Sequence, residues 1–186
     1  MVVVISGPSG VGKDALFERM KRLNRPWHFV VTATTRHKRI GEREGVDYIF
    51  LKDCQFQEKL AEDGFLEHAE VYGRWYGVPK DQIEEALLSG NDVFIKTDVQ
   101  GAMTIRHKIP GALLVFLAPP DLQELERRLR SRKSETPKDL EVRIKTAALE
   151  MQYQSDFDHQ VINKNGRLNE AVDYIDKIIH EEKGKR

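Results

Sequence analysis

Short apolar runs alternate with amphipathic stretches along most of the chain, the pattern of strands and helices in turn. Val2–Ile5 reads as a buried strand, followed by a glycine-rich turn and a helix over Lys13–Leu23. His28–Ala33, Val93–Thr97 and Leu113–Leu117 predict further strands, and Gln160–Asn163 a last short one. Helical spacing places helices over Val99–His107, Asp121–Arg132, Leu140–Tyr153 and Asn169–Glu182. Such alternation predicts an α/β fold, a parallel sheet core flanked by helices.

The middle of the chain is patterned differently. From Thr34 to about Pro79 the short stretches Asp47–Lys52, Phe65–Tyr72 and Arg74–Val78 are aromatic or alternating, with one helix at Asp53–Glu62. This predicts a small, mostly antiparallel insertion at about 34–79 in a core made of 1–33 and 80–186. Arg132–Lys138 is polar, ends beside Pro137, and predicts a flap or lid at about 130–145. A core with two projecting pieces suits an enzyme that closes around two substrates.

Composition narrows the class without changing this outline. The 186 residues are 40% apolar and 32% charged, within the range of one globular domain. Thirty basic residues balance thirty acidic ones, so no global field argues for nucleic acid or a lipid surface. Cys54 is the single cysteine, which suits a reducing compartment. Met1 leads directly into a strand, and no stretch approaches a membrane span, so the expectation is a cytoplasmic protein without a signal peptide. Its oligomeric state is expected to be a monomer or small homo-oligomer.

The glycine turn carries the first chemistry. Gly7-Pro8-Ser9-Gly10-Val11-Gly12-Lys13-Asp14 follows a strand and opens a helix, the setting of the phosphate-binding P-loop G-x-x-x-x-G-K-[ST]. Backbone N–H groups and the helix N-terminus would face phosphate oxygens, and Lys13 would reach the β- and γ-phosphates of ATP. A tight glycine turn without a ligand is the plainer alternative. Asp14 stands where a hydroxyl is usual. A carboxylate is also a hard oxygen ligand for Mg²⁺, although it adds negative charge; the other reading is a helix-start charge or a partner for a lysine.

A second cluster lies in Thr34–Tyr48, where Arg36, Lys38, Arg39 and Arg43 share a turn-rich loop with Tyr48. Arginine forks bind phosphate bidentately and a tyrosine hydroxyl adds a donor; a solvated charged loop is the alternative. The run TTRHKRIGEREGVDYIF resembles the guanylate kinase signature T-T-R-x-x-R-x-G-E-x-x-G-x-D-Y-x-F at every fixed position. FLEHAEVYGRWYG, TDVQGA, APPDLQELERRLRSR and a helix with Arg143 follow in family order, so the resemblance runs from Ile5 to Ile179.

The resemblance implies a P-loop core with a GMP-binding insertion and a lid, and transfer of the ATP γ-phosphoryl group to GMP or dGMP with Mg²⁺. By similarity, Arg36, Arg39, Tyr48 and Tyr76 would hold the GMP phosphate. Thr32, Glu67 and Asp98 would contact guanine, whose N1–H and N2–H₂ edge suits the Glu67 carboxylate. Arg128, Arg132 and Arg143, with Lys13, match the cations that reach the transferred phosphates. Charge spreads over that group in the transition state, so positioning and cationic stabilisation carry most of the catalysis.

Asp14, Lys96 and Val78 depart from the family pattern, which usually has a hydroxyl, an acidic residue and a small hydroxyl residue there. Lys96 and Asp98 would share a strand face, so an ion pair of Asp14 with Lys96 near the metal is one expectation, and two unrelated substitutions the other. G-K-D also occurs in ribose 1,5-bisphosphate kinases, and a silent guanylate-kinase-like protein-binding module is a third possibility. The complete T-T-R segment, Glu67, Lys13 and the loop glycines favour a GMP kinase over both.

Overall fold

The structure, a computed structural model, describes residues 1–71, 73–131 and 137–185. In chain order the elements are β1 (Val2–Ser6), α1 (Lys13–Lys21), β2 (Trp27–Phe29), β3 (Ala33–Thr34), β4 (Ile49–Phe50) and α2 (Asp53–Ala61). Next come β5 (Phe65–Val71), β6 (Arg74–Pro79), α3 (Lys80–Leu88), β7 (Asp92–Lys96) and α4 (Val99–Lys108). The chain ends with β8 (Leu113–Ala118), α5 (Leu122–Ser131), α6 (Pro137–Glu150), a 3₁₀ turn (Met151–Asp156), β9 (His159–Ile162) and α7 (Leu168–Gly184). This is the α/β architecture expected. Among the described residues no helix is long and apolar enough to cross a membrane.

The chain divides into two compact units, Met1–Val4 with Pro26–Leu113 and Ile5–Arg25 with Leu114–Arg186. In the first, β7 lies between β2 and β1. β2 and β7 pair in parallel, Trp27 opposite Asp92 and Phe29 opposite Phe94. Trp27 and Phe29 pack on Phe94 at ring distances of 4.9 and 5.2 Å. A second sheet of this unit has the order β4-β3-β6-β5. Its β3/β6 and β5/β6 pairs are antiparallel, and only β3/β4 is parallel. Phe56 of α2 is fully buried and stacks on Phe65 at 4.5 Å, with Ile49, Leu51, Leu60 and Trp75 around the pair.

Two expectations change here. The predicted strand His28–Ala33 is broken: β2 ends at Phe29, and β3 begins at Ala33 in the other sheet. At the crossover, Gln82 receives the Val31 N–H at 2.8 Å and donates to the Val31 carbonyl at 2.9 Å. One side-chain amide thus replaces the ladder bonds that the buried backbone needs. Gln82 belongs to α3, a helix the apolar pattern did not predict; it starts directly after Pro79 and buries only Ile83 and Ala86.

In the second unit β8 lies between β1 and β9. β8 is buried at every position and pairs in parallel with β9, Val115 opposite His159. Buried on both faces, a parallel strand reads as a continuous apolar run, as LLVFLA does. In α7, Ala171, Val172, Ile175, Ile178 and Ile179 form the buried stripe of an amphipathic helix. α1 and α7 are joined by Arg19 Nε to Asn169 at 2.6 Å and by Arg25 to Asp176 at 2.8 Å. The lid reading falls partly on residues 132–136, and Arg132 lies outside the described residues.

Candidate functional site

The second unit holds the glycine loop, between β1 and α1. Gly7 has φ +143, and a Cβ there would stand 2.1 Å from the Leu117 carbonyl oxygen, so only glycine lets the loop leave the sheet at this point. Gly12, at φ +105, is the N-cap of α1. The Val11 N–H donates to the Pro8 carbonyl at 3.2 Å and tightens the turn. Lys13 Nζ folds back over the loop and donates to the Gly7 and Pro8 carbonyls at 2.5 and 3.3 Å. The Ser9 N–H donates to Glu150 Oε2 at 2.8 Å, so a carboxylate already meets one loop amide. Asp14 is exposed in the first turn of α1.

Behind the loop stand Arg128 and Asn163. Arg128 donates from Nη1 to the Val11 carbonyl at 3.1 Å, from Nη2 to the Asn163 carbonyl at 2.8 Å, and from Nε to Glu124 at 2.8 Å. Arg127 and Arg128 together draw the Glu124 carboxyl down to about 2. Arg128 therefore meets the loop from the rear, through its backbone. Arg143 is half-buried on α6, two turns before Glu150 and on the same side of that helix.

The first unit holds the arginine and tyrosine cluster. Arg36 forms a fork with Glu42, Nη2 to Oε1 at 2.7 Å and Nη1 to Oε2 at 3.1 Å, and also donates to the His37 carbonyl at 2.7 Å. Its guanidinium lies 5.2 Å from the Tyr48 ring centre and hydrogen-bonds Tyr76. Glu42, and to a lesser extent Tyr76, raise the Arg36 pKa, while Arg36 holds the Glu42 carboxyl below its ordinary range. Tyr48 and Tyr76 meet edge to face at 6.1 Å. The Arg39 N–H donates to Glu42 at 2.8 Å while its side chain is exposed. Thr34 and Thr35 anchor this loop through the Trp75 backbone, Thr34 Oγ1 donating to its carbonyl and Thr35 Oγ1 accepting its N–H.

Glu67 is paired with Val78 and Ala69 with Tyr76. Cross-strand partners share a face and alternate residues repeat it, so Glu67 and Tyr76 project from one side of the sheet. Glu67 is 7% exposed. Burial first, and then the neighbouring Asp98 charge, push its carboxyl up to about 7; a hydrogen bond from Thr97 and the Lys108 charge act the other way. Asp98 caps α4, accepting the Gly101 N–H at 2.8 Å. A Cβ on Gly101 would lie 2.2 Å from Thr97 Oγ1 and 3.2 Å from Glu67 Oε2, so the first turn of α4 lies against the Glu67 carboxylate. Thr32 is half-buried, its carbonyl accepting the Ile49 N–H at 3.0 Å. Val78 is buried opposite Glu67.

Arg36, Tyr48 and Tyr76 are thus brought together, Glu67 is brought to Asp98, and the Gly7–Lys13 loop forms a tight turn at the N-terminus of α1. Sequence reasoning missed Glu42, although it sits in the fixed Gly-Glu pair of the arginine segment. It also missed Asn163 and Glu150. Asn163 follows the end of β9, the end of parallel strands where ligand sites of open α/β sheets gather; Glu150 carried no signal of its own.

Residues 1–182 match the protein-family model for guanylate kinase. The guanylate kinase of Clostridium perfringens strain SM101 is 41% identical over 183 residues, covering 98% of this chain and 84% of that protein. That of Gloeobacter violaceus is 41% identical over 181 residues, covering 97% of this chain and 87% of its own length. The crystal structure of guanylate kinase from Anaplasma phagocytophilum superposes with a TM-score of 0.76 at 30% identity, over 98% of this chain and 85% of that one. With the glycine loop, the arginine fork and the buried glutamate in the places that the family signature sets, the chain belongs to the guanylate kinase family.

Proposed function

We propose that the protein transfers the γ-phosphoryl group of ATP to the phosphate of GMP, and of dGMP, giving ADP and the nucleoside diphosphate. The observation that carries this reading is the single sheet face bearing both Glu67 and Tyr76, with Arg36 and Tyr48 beside Tyr76. The Glu67 carboxylate accepts the N1–H and N2–H₂ of guanine, a paired donor edge that adenine lacks. Thr32 and Asp98 complete the base end. Arg36, Arg39, Tyr48 and Tyr76 take the phosphate, Arg36 being held in register by Glu42.

ATP takes the glycine loop from Gly7 to Asp14, its phosphates on backbone N–H groups and on the N-terminus of α1. Lys13 leaves the Gly7 and Pro8 carbonyls for the β- and γ-phosphates. Among the described residues no three His, Cys, Asp or Glu side chains gather as a metal cage. This fits Mg²⁺, which keeps several waters and needs only one or two carboxylates beside nucleotide phosphates; Asp14 is the proposed protein ligand. Such an ion neutralises charge on the phosphate oxygens. As a GMP phosphate oxygen bonds to the γ-phosphorus, the bond to the ADP oxygen breaks. Lys13 and Arg143, with Arg132 by family match, stabilise the charge on the group in transit, while Arg128 adds its charge from behind the loop.

The test is ADP release from ATP·Mg²⁺ with GMP, dGMP, AMP, UMP, CMP and ribose 1,5-bisphosphate supplied in turn. Turnover confined to GMP and dGMP is expected. Turnover with the sugar bisphosphate, or silence with every acceptor, would overturn the reading.

A further inference from the structure

The Val11 carbonyl is gripped from two sides. Asn163 Nδ2 donates to it at 2.8 Å and Arg128 Nη1 at 3.1 Å. A carbonyl only accepts, so the amide must present its nitrogen there. Asn163 is itself held fast: its N–H donates to the Ala118 carbonyl at 2.8 Å, and its own carbonyl accepts Arg128 Nη2 at 2.8 Å. The side chain is buried, and a Cβ on Gly12 would stand only 2.6 Å from its Nδ2. The asparagine amide is thus packed directly against the back of the glycine loop.

This grip has a directional consequence. Among the described residues no peptide bond is cis, and in a trans peptide the carbonyl and the following N–H point in opposite directions. Drawing the Val11 carbonyl toward Asn163 and Arg128 turns the Gly12 N–H the other way, away from both side chains. We infer that Asn163 is a positioning residue for ATP: together with Arg128 it sets the Val11–Gly12 peptide so that the Gly12 N–H meets a phosphate oxygen. The inference rests on the glycine loop being the ATP site. It assigns Asn163 no contact with the phosphates; the residue acts through the loop.

Asn163→Asp tests this, because the side chains have nearly the same shape while the donor becomes an acceptor. At pH 8 the introduced carboxylate faces the Val11 carbonyl with no hydrogen to give, and the peptide turns. Protonation restores an O–H donor at the same place. Binding of ATP·Mg²⁺ is measured by calorimetry without GMP, variant against wild type at each pH. A loss of about 10- to 100-fold is expected at pH 8, the cost of an unsatisfied buried carbonyl and a mis-set amide. The ratio to wild type should narrow several-fold toward pH 5, and GMP binding should stay within about twofold of wild type. Asn163→Ala should also weaken ATP by about tenfold, with a ratio that does not change with pH.

Wild-type ATP binding by Asn163→Asp at pH 8 would overturn the inference. So would equal losses for ATP and GMP in Asn163→Ala, which mark general loosening of the fold. Failure of the wild type to bind ATP·Mg²⁺ would overturn the nucleotide reading of the loop, and this inference with it.

Discussion

The proposed recognition of guanine by Glu67 requires the carboxylate, yet burial and the Asp98 charge raise this carboxyl to about 7. In the protein without GMP, about half of Glu67 would then be protonated near pH 7, and GMP bound as proposed would expel that proton. If only the ionised form accepts the guanine N–H groups, the apparent KM for GMP scales as 1 + 10^(pKa − pH). That factor is about 1.1 at pH 8 and about 11 at pH 6, a tenfold change worth about 1.4 kcal/mol. Glu67→Gln supplies the control, since an amide presents one acceptor and no charge. At pH 8 the variant should raise KM for GMP about 10- to 100-fold, the loss of a charged hydrogen-bonding partner. At pH 6 the gap to wild type should shrink about tenfold, because the wild-type carboxyl has itself become neutral there.

The assay is steady-state KM for GMP at saturating ATP·Mg²⁺ between pH 6 and 8.5, for both proteins. The GMP phosphate also titrates near pH 6, but it does so for both, and the ratio of the two KM values isolates Glu67. A ratio that stays constant over this range would refute the argument. Stability runs the opposite way. A carboxyl whose pKa is raised on folding contributes stability that is fully present below its ordinary value of 4.5 and is lost as pH rises through about 7. The whole span is on the order of 3 kcal/mol. Urea unfolding of the ligand-free wild type should show this decline relative to Glu67→Gln, while GMP binding strengthens over the same interval. On the proposed reading, Glu67 is a carboxylate that folding disfavours and guanine rewards.

Glu42→Gln should loosen the Arg36 fork, whose two bonds measure 2.7 and 3.1 Å, and raise KM for GMP by about tenfold with KM for ATP nearly unchanged; equal effects on both nucleotides would remove Glu42 from its positioning role. Asp14→Ser should shift the Mg²⁺ concentration for half-maximal activity several-fold, whereas a superimposable Mg²⁺ titration would exclude Asp14 as a ligand. Phe56 is fully buried against Phe65 and Trp75, so Phe56→Ala should cost about 3–5 kcal/mol in urea unfolding. A loss below about 1 kcal/mol would mean that this small core does not hold the four-stranded sheet together.

What could be read from the chain was what is local in it. The glycine loop is one contiguous strand–turn–helix, and its backbone function needs no distant partner to be recognised. The buried stripe of α7 repeats with the helix period, and β8 is an unbroken apolar run. The arginine segment likewise carries Arg36, Arg39 and Tyr48 close together, although its Glu42 was missed. Where the reading failed, the deciding bond came from afar. The break between β2 and β3 depends on Gln82, which lies 51 positions from the Val31 it satisfies. No periodicity in HFVVTA records that partner. The perturbed titration of Glu67 was similarly invisible, because it arises from burial and from Asp98 on a different element.

Arg128 shows why the distinction matters for function. The family resemblance implies that Arg128 and Arg132, four positions apart in sequence, both reach the phosphates. In the structure three of the Arg128 donors serve other partners: two reach the backbone carbonyls of Val11 and Asn163, and a third reaches Glu124. Those carbonyls lie 117 and 35 positions away in sequence. The resemblance implied a cation at the proposed ATP site; the bonds that Arg128 makes to the loop backbone were not legible in the sequence. On the proposed reading, the loop is the means by which this arginine influences the phosphates. Charge and backbone geometry are then coupled at the proposed ATP site: a shift of the guanidinium removes one of the two donors on the Val11 carbonyl and loosens the hold on the Val11–Gly12 peptide.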